Sequence, residues 1–331
     1  KTIDEVVVIC YGKSSRKEIT GSIATLKPEN FNQGSFSNAA GLLQGKIAGL
    51  SVVNSNGSDP QANYEIILRG TNTLTSRQGP LIIIDGVAGE DLKNINFQEV
   101  ESIDVLKDGS AAAIYGTRGT NGVIIITTKQ ARKGKTTVEY NGIATIQVAP
   151  RMVKNLTADE FRYAINTFAP NKVNSIYDAN TDWFGAITRD MPFSHKHNLA
   201  ISGGNEELSH RTIINLEQNQ GLLKNNNLNK LLARTNIQQK ALKGKLTLNY
   251  NSFYSMRKSN PANYDIFYQA FIHNPTEPVY DPDNVLSGGY KRVDGISYYN
   301  PVAMLNEQKR DSETDDFGGN EDGLERKLSA F

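Results

Sequence analysis

The sequence predicts a compact mixed α/β unit followed by strands of an antiparallel β-barrel that crosses a membrane. Three observations predict it. Short apolar runs closed by Gly and Asp-Gly turns occupy roughly 20–130. From about 136 onward, five segments alternate apolar and polar residues with period two. The connections between those segments alternate short and long, as the two ends of a membrane barrel do.

Composition narrows the classes. With 36 Lys and Arg against 35 Asp and Glu and no basic stripe, nucleic acid is not expected as a partner. A hydrophobic content of 38% with 28 glycines suits a turn-rich β protein with one polar face. No run of about 18 apolar residues is present, which excludes a transmembrane helix but not transmembrane strands. Lys1-Thr2-Ile3-Asp4 has no apolar leader core, leaving either a cytosolic protein or a removed signal peptide. The single cysteine, Cys10, allows no intrachain disulfide and says nothing about compartment.

The elements follow in order. Asp4 to Ile9 is a β-prone run flanked by charge, with no partner strand beside it in sequence; it reads as a tail able to pair by strand addition. Phe36 to Ile47 reads as a helix, because Ala39, Ala40, Leu43 and Ile47 recur at three- and four-residue spacing before Gly49. Leu50 to Val53, Tyr64 to Leu68, Leu81 to Ile84, Val100 to Leu106 and Val123 to Thr128 read as strands, and Gly109 to Tyr115 as a small-residue helical turn. The alternating segments are Thr137 to Gln147, His197 to Gly203, Thr212 to Gln218, Lys230 to Gln239 and Gly244 to Arg257. In the last, Leu246, Leu248, Tyr250, Tyr254 and Met256 share one face, and Thr247, Asn249, Asn251, Ser255 and Arg257 the other. Residues 148–195, 219–229 and those after Arg257 are the long connections. Thr157 with Glu160 forms a capping box ahead of Phe161, Ile165 and Phe168.

Several runs in the first unit resemble the plug signature of SusC/RagA-type TonB-dependent transporters. They are Leu42 to Gly49, Ile67 to Gly70, Pro80 to Val87, Glu101 to Asp108 and the long stretch Gly109 to Lys129, in that order. Asp182-Trp183 and Leu199 to Gly204 extend the likeness, which covers roughly 4–257. The resemblance implies an α+β plug domain inside a transmembrane antiparallel β-barrel of the 22-stranded class. Only the first five or six strands of that barrel are expected here, since about 200 residues remain after the plug. It implies three regions: a TonB box and linker at 1–19, a plug at 20–133, and the start of the barrel with outer loops at 134–331. The box is Asp4, Glu5, Val6, Val7, Val8 and Ile9, with Cys10 as an unusual neighbour just past it. The family's small β-sandwich domain ahead of the box is not seen in this sequence. Implied partners are TonB, a SusD-like surface lipoprotein, an oligosaccharide or peptide ligand and outer-membrane lipid of a Bacteroidetes-type bacterium. No cofactor is implied.

Within that frame, Arg69 and Arg118 are candidates for bidentate contacts from plug to wall, or else simply close turns beside their glycines. Tyr140, Tyr250 and Tyr254 suit an interfacial girdle, and Trp183 either that or sugar stacking. Tyr264, Phe267, Tyr268, Tyr298 and Tyr299 are candidate ligand contacts in the outer loops. Gly116 to Gly122 fits neither phosphate-loop spacing and reads as a tight entry into the following strand. His195 and His197 share a strand face with His210 across a hairpin. No Cys or placed carboxylate completes a zinc set, so polar residues near a strand end are expected, with no metal. Asp281, Asp283 and Asn284, and Asp311 to Asp322, offer oxygen ligands for calcium without EF-hand spacing, and solvated loop is the expectation for both. No nucleophile–base pattern is visible, so no enzyme is expected. The alternatives are a soluble glycan-binding β-sandwich and a TonB-dependent receptor for a siderophore or vitamin.

Overall fold

The computed structural model describes residues 6–9, 12–15, 23–32, 34, 36, 39–54, 57, 59–68, 79–107, 115–131, 133–148, 154–292, 298–308 and 310–322. Among these, β1 (Val6–Ile9) pairs antiparallel with β2 (Gly12–Ser15), Val6 opposite Ser15 and Ile9 opposite Gly12. This corrects the expectation that the first run has no neighbour to pair with. An extended segment carries a row of open N–H and C=O groups, and the nearest extended segment satisfies them. A two-stranded ribbon alone is marginal in water, so its pairing is exchangeable. Asp4 and Glu5 lie outside the described residues.

The plug is built on a five-stranded sheet in the order β3-β8-β9-β6-β7. Its strands are β3 (Ile23–Leu26), β6 (Leu81–Ile84), β7 (Val87–Ala88), β8 (Val100–Leu106) and β9 (Val123–Thr128). A separate ribbon pairs β4 (Leu50–Asn54) with β5 (Tyr64–Leu68). Val123-Ile124-Ile125-Ile126 reads as an unbroken apolar run because β9 is central, parallel to β6 and antiparallel to β8, and buried on both faces. Ile84, Ile103, Val105, Ile124 and Ile126 have no accessible surface, and Leu42, Leu43 and Leu50 pack over them. Asp85 and Gly86 turn β6 into β7 with φ of +48° and +89°, the conformation a two-residue hairpin of the right twist demands.

The helix expected over Phe36 to Ile47 is instead a single 3-10 segment, Ala39–Leu43, followed by turns into β4. Its apolar residues are buried as their spacing requires. Gly45 at φ +73° cannot continue a helix, and a Cβ on Gly41 would lie 2.4 Å from the Phe36 ring.

From residue 134 a six-stranded antiparallel sheet runs in sequence order, β10 (Gly134–Ile146), β11 (Phe193–Gly204), β12 (Leu208–Gln220), β13 (Asn227–Ala241), β14 (Leu246–Asn260) and β15 (Ser312–Asp322). The last strand replaces the solvated loop expected over Asp311 to Asp322. Glu313 pairs with Lys258, and Asp316 with Arg257 of β14, so these acids hold a register.

The sheet is inverted relative to a soluble one. In β12, Ser209, Arg211, Asn215, Glu217 and Asn219 are buried, and Leu208, Ile214 and Leu216 are exposed. The polar face lies against the plug. The apolar face, with Tyr140, Tyr250 and Tyr254, looks outward. A soluble sandwich buries its apolar face, so that alternative fails. Short turns 205–207 and 242–245 lie at one end. At the other, the long connections fold together through α1 (Ala158–Phe168), α2 (Trp183–Ile187), α3 (Asp265–Ile272) and α4 (Pro301–Glu307). Trp183, Ile187, Leu223, Ile266, Val302 and Leu305 form their shared core. Thr157 and Glu160 cap α1 reciprocally.

Candidate functional site

The site is the seam between plug and wall. One short plug stretch, 85–99, brings Asp85, Glu90, Asp91 and Glu99 to it through the Asp85-Gly86 turn, β7 and two 3-10 turns. The two turns start at Asp91 and Asn96, whose side chains accept from Lys93 N and Gln98 N. The polar faces of β11, β12, β13 and β14 bring Lys196, Arg211, Lys230, Arg234 and Arg257.

Arg234 is the hub. Its Nη1 lies 3.2 Å from Asp85 Oδ2, and its Nη2 lies 2.6 Å from Glu90 Oε1 and donates to Asn94 O at 3.3 Å. Its guanidinium sits 5.0 Å from the Phe253 ring centre. Asp85 also accepts from Thr128 N at 2.8 Å and Thr128 Oγ1 at 2.7 Å, which ties the turn to the last plug strand. One strand over, Arg211 Nε donates to Glu99 Oε2 at 2.8 Å, and Glu99 Oε1 accepts from Asn198 Nδ2 at 2.9 Å. Asn96 Nδ2 donates to Asn198 Oδ1 at 2.9 Å. Lys230 donates to Lys93 O. These ion-paired side chains are all buried, so each charge is held by its partners and not by water. Burial pushes the Glu90 carboxyl above its ordinary range, against the opposing pull of Arg234.

The pairs therefore run from wall cation to plug carboxylate. Arg118 is exposed in the 3-10 turn Gly116–Gly119 near Gly89, and Arg69 lies outside the described residues. The wall arginines were not singled out in the sequence. Their signal was present: cations on the polar face of alternating strands, opposite a plug stretch with four acids.

The outer-loop aromatics divide. Tyr264 and Phe267 stack with ring centres 6.1 Å apart, and Phe267 packs on the loop core. Tyr298 stacks on His273 at 4.0 Å and 8°, and its hydroxyl donates to Glu277. Tyr298 and Tyr299 line a cleft of about 390 Å³ with His273 and Tyr290. Tyr268 and Tyr299 are 61% and 57% exposed. Trp183 is neither girdle nor exposed platform: it is buried edge-on against His273, with Nε1 donating to Asn274 O. Burial lowers His273 to about 4 and raises Glu277 and Tyr298.

The His195 and His197 rings lie 5.1 Å apart, tilted by 56°, on the outward face, and Tyr140 bonds His197 Nδ1 at 2.6 Å. His210 pairs with Gly203, far along the strand from His195 opposite Gln218, so the register keeps the three apart. Asp281 is paired with Lys291 at 3.0 Å.

Residues 15–123 match the TonB-dependent Receptor Plug Domain. The chain is 32% identical to the TonB-dependent receptor SusC of Bacteroides thetaiotaomicron, over 97% of this chain and 35% of that protein. It belongs to the SusC/RagA family of TonB-dependent receptors. A further relative, TonB-dependent receptor P26 of Formosa agariphila, is 32% identical over 92% of this chain and 32% of its own length. Both are receptors and not enzymes. In fold the chain resembles the RagAB peptide importer in its open-open state, with a TM-score of 0.67 at 24% identity, covering 78% of this chain and 33% of that one. This receptor chain thus spans about a third of the relatives it matches, and its six strands are part of a larger barrel wall.

Proposed function

We propose that the chain carries the plug and first wall strands of an outer-membrane importer driven by TonB, taking up oligosaccharides or peptides beneath a SusD-like lipoprotein lid. The observation that carries this is the double inversion at the wall: apolar residues outward, and buried cations inward, paired to a separately folded domain. Such a wall suits lipid on one side and a removable stopper on the other. The relatives SusC and P26 are TonB-dependent receptors, and RagAB, which shares the fold, is a peptide importer.

TonB is proposed to take Asp4 to Ile9 as an added strand. Backbone pairing gives grip with little demand on side chains, and β1 is already strand-forming in a ribbon of two strands with β2. Tension entering there reaches β3 first, an edge strand held by β8 alone. Deleting Asp4 to Ile9 from the full-length receptor should abolish energised uptake while surface binding of cargo persists. Uptake that survives the deletion sinks the reading.

A further inference from the structure

The wall cations form a ladder. Arg211 stands opposite Asn236, Arg234 is two residues along β13, and Lys230 four further. At about 3.3 Å per residue this row extends roughly 20 Å along the strands. Lys196 lies beside Lys230, separated by Glu217, with which it pairs at 2.8 Å. The carboxylates bound to Arg234 belong to the plug, as does Glu99, which shares Arg211 with Glu139 of the wall. Any plug movement that opens this seam carries those acids away. It leaves the cations lining the opened passage without those partners, as a row of positive charge.

Two observations show capacity for a replacement anion. Arg234 Nε and Arg257 Nε are buried without an acceptor among the described residues. A cleft of about 200 Å³ already lies between plug and wall, lined by Gln61, Asp91, Lys230, Arg257, Ser259 and Thr314. Gln61 Nε2, at its edge, is likewise buried without a partner among the described residues.

We propose that the cargo bears anionic groups, and that carboxylates or sulfates on it replace the plug acids on Arg211 and Arg234, and the plug carbonyl on Lys230, as the seam opens. This rests on the import reading above and adds the charge class of the cargo. At Arg211 and Arg234 an arriving anion takes the place of plug carboxylates, and at Lys230 it takes the place of the Lys93 carbonyl. Neutral cargo has no such compensation, so it meets a higher barrier on the same path.

The test uses the full-length receptor in planar bilayers, its plug reversibly loosened by urea, with the anion-to-cation permeability ratio read in a potassium chloride gradient. Two charge-swapped variants invert the wall, with the second carboxylate of each site neutralised: Arg211→Glu with Glu99→Arg and Glu139→Gln, and Arg234→Glu with Glu90→Arg and Asp85→Asn. Each swap should lower the ratio by roughly twofold or more relative to wild type. An oligogalacturonate and an oligoglutamate of similar length should occlude the wild-type current and not the swapped one, and the stronger blocker identifies the source of the anion. An unchanged ratio, no loosened-state current, or equal occlusion of both receptors overturns the proposal. Those outcomes leave the import reading standing, because loss of uptake on deleting Asp4 to Ile9 tests that separately.

Discussion

Two stretches of one plug meet the wall differently. Residues 85–99 place Asp85, Glu90 and Glu99 into buried ion pairs with Arg234 and Arg211. Residues 23–68 bury more apolar surface but touch the described wall through lighter polar contacts: Lys196 donates to Phe36 O at 2.5 Å, and Asn226 to Asp59 at 3.1 Å. The first stretch is fastened by charge that cannot be left unpaired. The second is held by packing within the plug itself. A force entering at the amino-terminal end meets the packed stretch before the fastened one.

The largest break in this contrast comes from Arg234→Ala. It strands two buried carboxylates and should cost about 3–5 kcal/mol locally. Amide exchange across 85–99 should then rise to the level of 23–54; exchange that stays unchanged there removes the contrast. Next is Leu42→Ala, a cavity in the packed stretch worth about 2–5 kcal/mol. It should speed exchange over 23–54 and leave 85–99 protected, and equal loosening of both would show one cooperative unit. Asn226→Ala removes the hydrogen bond to Asp59 at about 1–3 kcal/mol, and its effect on exchange should stay near 59–62.

The smallest effect is with pH. Glu90 is raised in the folded plug, so its contribution favours folding below its unfolded value and is lost as pH rises through the raised one. Glu90→Gln should flatten that part of the plug's stability curve as pH rises above 4.5, as read by urea midpoints. An identical slope in both proteins would show that Arg234 fully offsets the burial of Glu90.

Much of this was legible in the residues. Leu81 to Ile84 and Val123 to Ile126 are continuous apolar runs in the middle of the plug sheet, where burial leaves little other choice of residue. The faces of Leu246 to Arg257 sorted correctly, since period two maps directly onto a pleated strand. The Phe36 to Ile47 helix failed because helical spacing of apolar residues also suits a tight 3-10 segment, and Gly41 and Gly45 decided the matter. The five loop aromatics could not be sorted from sequence. Tyr298 stacks on His273, which Trp183 meets edge-on from a different connection.

The sequence by itself determined the central plug strands, the polar face of the first five wall strands and where the connections are long, because these follow from local periodicity and turn chemistry; the short edge strands β3 and β7 and the acid-rich β15 carry no such period. Only the tertiary structure decided that the cations belong to the wall and the acids to the plug. An ion pair such as Arg234 with Glu90 joins residues 144 positions apart, and charge carries no mark of its partner until the chain has folded.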